Sequence, residues 1–106
     1  MPKPLRKEAS LETALGTYVN SELGPHSYLK AGDQGWPDRL ILLPGGKHFW
    51  VEFKTPKGRL RPAQVALFKV LTTRGDRVFV VKSTEELDAV IGAIKIAKLQ
   101  HDLMTK

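Results

Sequence analysis

Two strand-like segments joined by three turn-forming residues constrain the fold of this sequence more than any other feature. Arg39 to Leu43 and Lys47 to Lys54 are rich in apolar residues, and Pro44-Gly45-Gly46 separates them. Proline at the second position of a type I turn, with glycine in the left-handed conformation after it, is typical of a three-residue hairpin loop. The sequence therefore predicts an antiparallel β-hairpin with a defined register.

This register places two acidic residues opposite each other. If Leu43 opposes Lys47, counting away from the turn along both strands brings Asp38 across from Glu52. Opposed residues share a face of the sheet, with Cβ atoms about 5 Å apart, and facing like charges are destabilising unless something compensates them. A divalent cation is the obvious compensator, and a pair of carboxylates suits Mg²⁺ or Mn²⁺. Lys54 shares the face of Glu52, because alternate residues of a strand point the same way.

The segments before the hairpin predict a helix and a short strand. Apolar residues recur at spacings of three and four over residues 11–23, with Ser10 as the predicted N-cap and Gly24-Pro25 as the C-terminal stop. Ser27 to Lys30 is a candidate short strand. Residues 1–9 are interpreted as a basic lead-in to the first helix.

After the hairpin, the pattern predicts one more strand between two helices. Pro62, a residue type favoured at the first helical position, begins the earlier helix, and Gly75-Asp76 ends it. Arg77 to Val81 is a third core strand, and Ser83 or Thr84 caps the final helix. The chain is thus expected to be an α/β protein with the order α-β-β-β-α-β-α. The residues predicted to face inward from these two helices are Val65, Ala66, Phe68 (or Leu67), Val70, Leu71, Leu87, Val90, Ile91 and Ile94.

The charge balance favours a polyanionic partner. Seventeen Lys and Arg against eleven Asp and Glu give the 106 residues a formal net charge of +6, which by itself suits either nucleic acid or a membrane surface. The absence of cysteine excludes a disulfide scaffold, a thiolate zinc site and a cysteine nucleophile. The longest apolar run, Leu40 to Leu43, is far shorter than the roughly 20 residues of a membrane helix, and no secretory signal is visible. We therefore expect a cytoplasmic protein with no membrane-spanning segment.

Several motifs follow one another in a characteristic order. They are a helix with Glu12, the turn Gly35-Trp-Pro-Asp38-Arg39, an apolar strand, Pro-Gly-Gly, the triplet Glu52-Phe53-Lys54, and Pro62 with Gln64 opening a helix. Over about residues 10–82 this set resembles the VRR-Nuc (virus-type replication-repair nuclease) branch of the PD-(D/E)XK nuclease superfamily. The resemblance implies a restriction-endonuclease-like core, in which helices flank a mixed β-sheet. It also implies that residues 1–106 form a single nuclease domain that ends in a helix over residues 83–106.

The resemblance also implies a role for each motif residue. Lys54 would orient or activate the attacking water and stabilise charge on the phosphate, and Gln64 would position Lys54, the water or the phosphate. Phosphodiester hydrolysis needs such a positioned water and neutralisation of the developing charge, which a divalent ion also supplies. The implied ligands of Mg²⁺ or Mn²⁺ are Asp38, Glu52, the backbone carbonyl of Phe53 and, directly or through water, Glu12.

Each of these residues also has a simpler interpretation. Glu12 could be a solvated helix residue, Gln64 could merely complete a helix N-terminus, and Asp38 could be a turn residue after proline. The acid and the lysine of the second strand could likewise be an ordinary solvated pair. Trp36 and Trp50 are expected to pack in the core or at its rim, with stacking on a base as the alternative.

A dense basic stretch leaves the proposed site. Its members are Lys54, Lys57, Arg59 and Arg61, and a phosphate-binding rim built from them could be extended by Lys30, Lys3, Arg6 and Lys7. Small members of the resembled family suggest a symmetric homodimer that resolves four-way (Holliday) junctions in a bacterial or phage-infected cell. Flap or fork cleavage is the first alternative. A non-catalytic module that binds DNA through the same basic rim is the second.

Overall fold

The computed structural model describes residues 8–105, whose helices and strands follow the predicted order. Two short 3₁₀ turns, Asp33–Gly35 and Pro44–Gly46, lie in the loops that flank the second strand. The order α-β-β-β-α-β-α is therefore confirmed. The elements are α1 (Glu8–Leu23), β1 (Tyr28–Lys30), β2 (Arg39–Leu42), β3 (His48–Phe53), α2 (Pro62–Thr73), β4 (Arg77–Val81) and α3 (Thr84–Met104).

The four strands form one mixed sheet in the order β1-β2-β3-β4. β1, β2 and β3 are antiparallel neighbours, whereas β4 runs parallel to β3 and is reached through the crossover helix α2. In the hairpin, Arg39 pairs with Val51, and the N–H of Leu43 donates to the carbonyl of Lys47 at 2.8 Å. The register predicted from the loop length is confirmed.

The hairpin turn itself differs from the prediction. Gly45 has φ 79° and ψ 19°, whereas the corresponding position of a type I turn needs φ near −90°. Gly46 also has a positive φ, of 75°. The type I prediction is wrong because the left-handed backbone begins one residue early, which is open to Gly45 since it lacks a Cβ atom.

The main hydrophobic core lies between one face of the sheet and the two helices α1 and α3. Phe49, Val51 and Phe53 alternate onto this face of β3, so the residues between them point to the other face. α2 packs on that other face, mainly beside β4. The buried core residues are Leu11, Leu15, Val19, Ile41, Leu43, Phe49, Val51, Phe53, Val81, Leu87, Val90 and Ile94, and Ile91 is partly buried against them.

Three sequence predictions about the helices are corrected or confirmed here. Ser10 is not an N-cap, because α1 begins at Glu8 and Ser10 lies inside it, so the lead-in is shorter than residues 1–9. The cap of α3 is Ser83, whose side chain accepts the N–H of Glu86 at 3.4 Å. The prediction for α2 is wrong in part, since its buried face is Gln64, Phe68 and Leu71, while Val65 and Val70 are 52% and 45% exposed and Ala66 is exposed too.

α3 is the longest helix, with 21 residues, and its two halves differ. Leu87, Val90 and Ile94 are buried, whereas Ile96 and Leu99 beyond them are more than half exposed. Among residues 8–105, no helix combines the length and apolar composition of a membrane-spanning segment.

Candidate active site

Asp38 and Glu52 meet at the open end of the hairpin. Asp38 immediately precedes β2, and its Oδ2 accepts the backbone N–H of Phe53 at 2.8 Å. Glu52 lies next to Phe53 in β3 and is only 3% exposed. The structure thus brings together the two acids that the hairpin register placed opposite each other, and it buries one of them.

The loop before β2 holds Asp38 in place. The N–H of Ala31 donates to the carbonyl of Asp38 at 2.8 Å, and the intervening Pro37 is fully buried. Gln34 takes a left-handed φ of 54°, between two glycines that also have positive φ, so the loop turns sharply. A cleft of about 290 Å³ opens between this loop and the start of α2, and it is lined by Gly32, Gln34, Gly35, Arg61, Ala63 and Gln64.

The two oxygens of the Glu52 carboxylate have very different surroundings. Oε2 lies 3.2 Å from the Nζ of Lys54 and accepts a hydrogen bond from the Nε2 of Gln64 at 3.0 Å. Oε1 is buried and has no hydrogen-bond partner among the described residues. Burial raises the pKa of Glu52, and the negative charge of Asp38 raises it further, while Lys54 and Gln64 act in the opposite direction. The carboxylate is therefore under-compensated in the protein alone.

These surroundings fit a divalent cation. Carboxylate oxygens are the ligands that Mg²⁺ and Mn²⁺ prefer, and a cation beside Oε1 of Glu52 would give the unpaired oxygen a partner and offset the charge of Asp38. Within residues 8–105, no cluster of three or more acidic or histidine side chains is close enough to hold a metal. The remaining ligands would then be backbone carbonyl, water or phosphate oxygens, which is common for Mg²⁺.

Gln64 completes a helix N-terminus, which is one of the two roles that its sequence position suggested. Its Oε1 accepts the N–H of Arg61 at 3.0 Å, which completes the N-terminus of α2, and its Nε2 donates to Glu52. The side chain is 3% exposed, so it is fixed between the helix and the acid. Gln64 thus positions Glu52, and its predicted role toward Lys54, the water or the phosphate stays a prediction.

Among the described residues, Glu12 forms no hydrogen bond or ion pair with the two acids, and it pairs instead with Arg39, whose strand position faces away from Glu52. Its Oε2 accepts from the Nε of Arg39 at 2.9 Å, and its backbone carbonyl accepts from the hydroxyl of Tyr28 at 2.8 Å. The guanidinium of Arg39 also lies over the ring of Tyr28, 4.5 Å from its centroid. Metal ligation by Glu12, and by the carbonyl of Phe53, stays a prediction.

The basic residues are distributed over more than one surface. Lys57, Arg59 and Arg61 are exposed in the loop between β3 and α2, directly after Lys54. Lys30 pairs with Arg39 across β1 and β2, so strand alternation places it on the opposite face from Glu52. The predicted contributions of Lys3, Arg6 and Lys7 fall outside the described residues.

Two tryptophans adjoin the acids, an arrangement that was not predicted from the sequence. The ring centroids of Trp36 and Trp50 are 5.3 Å apart, and their planes are tilted by 42°. The indole N–H of Trp50 donates to Asp76 at 3.3 Å, and the same carboxylate lies 3.0 Å from the Nε2 of His48. The signal in the sequence was the spacing, since each tryptophan comes two residues before one of the acids.

The fold and the site together define a nuclease-type α/β domain, in which two acids and a lysine lie at one end of a mixed sheet. A family model described as "VRR-NUC domain" matches residues 13–85, and the chain belongs to this family. It is 33% identical over 91 residues to "Putative nuclease p44" of Acyrthosiphon pisum secondary endosymbiont phage 1, covering 85% of this chain and 97% of that protein. A solved structure described as "VRR_NUC domain" is 27% identical, with a TM-score of 0.57, and covers 77% of this chain and 95% of its own. The predicted family and fold are therefore confirmed.

Proposed function

We propose that this nuclease domain, residues 1–106, is a divalent-metal-dependent endonuclease that hydrolyses DNA phosphodiesters at Asp38, Glu52 and Lys54. The observation that carries the proposal is the buried Glu52 carboxylate beside Asp38, which leaves one oxygen without a partner among the described residues. A net charge of +6 suits a polyanionic substrate.

The side chains divide the work of hydrolysis, in which a water oxygen bonds to phosphorus and the bond to the leaving oxygen breaks. Mg²⁺ or Mn²⁺, held by Asp38 and Glu52 and by the proposed Phe53 carbonyl and Glu12, would neutralise phosphate charge and acidify a water. The ammonium of Lys54 has three N–H donors, and its Nζ lies 3.2 Å from Oε2 of Glu52 as an ion pair. In the proposed mechanism its N–H groups donate to the attacking water and to a phosphate oxygen whose charge grows in the transition state. Gln64 holds Glu52 in position.

The proposed substrate is branched DNA, with the four-way junction first. This choice is supported by the resemblance to small VRR-Nuc members. The phage relative supports the proposal that the protein acts in a phage-infected or bacterial cell. A symmetric homodimer would present two equivalent sites and so cut two strands symmetrically, as junction resolution requires.

The test is a cleavage panel of duplex, flap, fork and four-way junction with Mg²⁺, Mn²⁺ or a chelator. Lys54→Ala and Asp38→Ala are expected to lower the cleavage rate by about 10²–10³-fold, the usual effect of losing one transition-state contact. Lys69→Ala and Asp88→Ala remove the same charges at exposed helix positions and are the matched controls.

Four outcomes would contradict the proposal or part of it. Equal cleavage by the parent, Lys54→Ala and Asp38→Ala would indicate a contaminating nuclease. Salt-sensitive binding without cleavage under any metal condition would favour the non-catalytic module. Equal rates on linear duplex and on junctions, or a monomeric mass in light scattering, would remove the junction-resolving dimer.

A further inference from the structure

The tryptophan pair forms an exposed aromatic surface next to the acids. Trp36 is 39% exposed, although an indole is a costly group to leave in water, and Trp50 behind it is half-buried. Because the indole N–H of Trp50 is bonded to Asp76, its ring is fixed. The backbone of Trp36 is fixed as well, since its N–H donates to Asp33 at 3.1 Å and buried Pro37 follows it. The surface is therefore preorganised.

Aromatic, acidic and basic side chains lie together on one face of the hairpin. Strand alternation puts Trp50, Glu52 and Lys54 on the same face, and the exposed cations of the loop over residues 55–61 continue beyond Lys54. Trp36 packs on Trp50, and Arg61 lines the cleft beside Gly35, the residue that precedes Trp36. A DNA strand held at Glu52 would thus have both cations and aromatic rings within reach.

The spacing determines what the rings could bind. Two residues of a strand span about 7 Å, so Trp50 lies about that far from Glu52. Successive nucleotides of a duplex strand are about 3.4 Å apart along the axis, and inside a continuous duplex both faces of a paired base are covered by its neighbours. A base that rests on the aromatic surface while its strand is held at Glu52 must have left the duplex stack.

We propose that Trp36, supported by Trp50, stacks on an unpaired nucleobase beside the scissile phosphate, so that the site selects DNA with an unstacked nucleotide at the cleavage point. This inference rests on the proposed nuclease function and deepens it by naming the substrate feature. The competing occupant of the same surface is a second copy of this chain. Proximity to the acids and cations favours the base, because a strand bound there passes the rings.

The first experiment measures binding without requiring cleavage. The chain contains two tryptophans, so its tryptophan emission comes from Trp36 and Trp50 alone. In chelating buffer at low salt, Trp50→Phe leaves Trp36 as the reporter and Trp36→Phe leaves Trp50. We expect a duplex with a single-stranded flap to quench Trp36, whereas the same duplex fully paired leaves its emission unchanged.

The second experiment measures affinity and cleavage with Trp36→Ala. Loss of one base-stacking contact is expected to weaken binding of the flapped DNA about tenfold to a hundredfold. The affinity for the fully paired duplex is expected to change by less than about twofold. Trp36→Phe is expected to restore most of the affinity. Val65→Ala, which truncates an exposed apolar residue of α2, is the matched control and is expected to leave the affinity for both substrates unchanged.

Each alternative result has a distinct meaning. Equal weakening on both substrates, or a Trp36→Ala protein that loses its dimeric mass, overturns the inference. Quenching and selective weakening in a protein that cleaves nothing supports the inference while the proposed function fails. Cleavage by the parent that Trp36→Ala reproduces on every substrate overturns the inference and leaves the proposed function intact.

Discussion

Glu52 costs the folded protein stability when it is ionised. Burial and the neighbouring charge of Asp38 raise its pKa, which means that the folded state holds the negative charge less favourably than the unfolded chain does. The contacts with Lys54 and Gln64 offset this only in part. Such a cost is typical of sites that a ligand completes.

Glu52→Gln is therefore expected to raise the melting temperature at neutral pH without divalent cations, while abolishing cleavage. Glutamine keeps the shape of the side chain and removes the charge. Because the pKa of folded Glu52 lies above its ordinary value of 4.5, the penalty is absent below that value, grows as pH rises and is complete above the raised pKa. Calorimetry of both proteins between about pH 4 and 8 checks this, and a gap that widens towards acid pH would contradict it.

Gln64→Ala is expected to destabilise the protein by about 1–3 kcal/mol, because it leaves the Glu52 carboxylate and the N–H of Arg61 without their partner. Urea unfolding gives the free energy of unfolding. The control is Gln100→Ala on α3, which is exposed and is expected to change stability by less than about 0.5 kcal/mol. Equal effects would show that the buried bonds of Gln64 contribute nothing measurable.

At the scale of single residues, the sequence predicted that Asp38 and Glu52 meet, but it did not predict that Glu52 is buried. The loop of Pro44 to Gly46 set the register, and the register set the pair. The burial of Glu52 depends on α2, which folds back over the far face of the sheet and reaches it through Gln64. The contact joins a strand and a helix that are separate in the chain, so no sequence pattern within either element predicts it.

At the scale of elements, α1 approaches β1 closely at Gly16. A Cβ atom built there would lie 2.8 Å from the Cε2 of Tyr28, whose hydroxyl is bonded to the carbonyl of Glu12. The tyrosine ring is also covered by Arg39 on its way to Glu12, so it has little freedom to move aside. Gly16 therefore sets how closely helix and strand pack.

Two glycine-to-alanine substitutions in helices are expected to have opposite effects on the stability of the protein. Alanine in a helix interior normally stabilises by about 0.5–1 kcal/mol relative to glycine. Gly92→Ala should show this gain, because nothing lies within 4 Å of the added Cβ atom. Gly16→Ala should instead destabilise by about 1–3 kcal/mol through overpacking against Tyr28. Melting temperatures of both variants test the pair, and a gain at Gly16 would mean that the ring moves freely.

α2 was the element that the sequence predicted least well, because the side of the helix that faces the sheet was predicted wrongly in part. Its apolar residues surround much of the helix, so several stripes are equally apolar, and the structure buries the one that includes polar Gln64. The helix itself was predictable from Pro62 and Gly75. Binary patterning decides where a helix lies in the chain, but here the polar contact with Glu52 decides which side faces the sheet.

At the scale of the whole molecule, a bound divalent cation should couple the site to global stability. A ligand that binds only the folded state raises the free energy of unfolding by about 2.7 kcal/mol at a hundred times its dissociation constant. Mg²⁺ or Mn²⁺ should therefore raise the melting temperature of the parent and of Asp88→Asn. Asp38→Asn should lose most of this shift, with monovalent salt of matched ionic strength as the reference. An identical shift in all three proteins would contradict metal binding at Asp38.

The tip of the hairpin rests on the far end of the chain. A Cβ atom at Gly45 would lie 3.2 Å from the Nδ1 of His101, and the last turn of α3, which carries His101, packs against the hairpin loop opposite the acids. Removing the last turn of α3 would remove this contact, and we expect the hairpin that carries both carboxylates to shift. A loss of activity after such a truncation would then result from displaced carboxylates and not from a lost contact between the C-terminal residues and DNA.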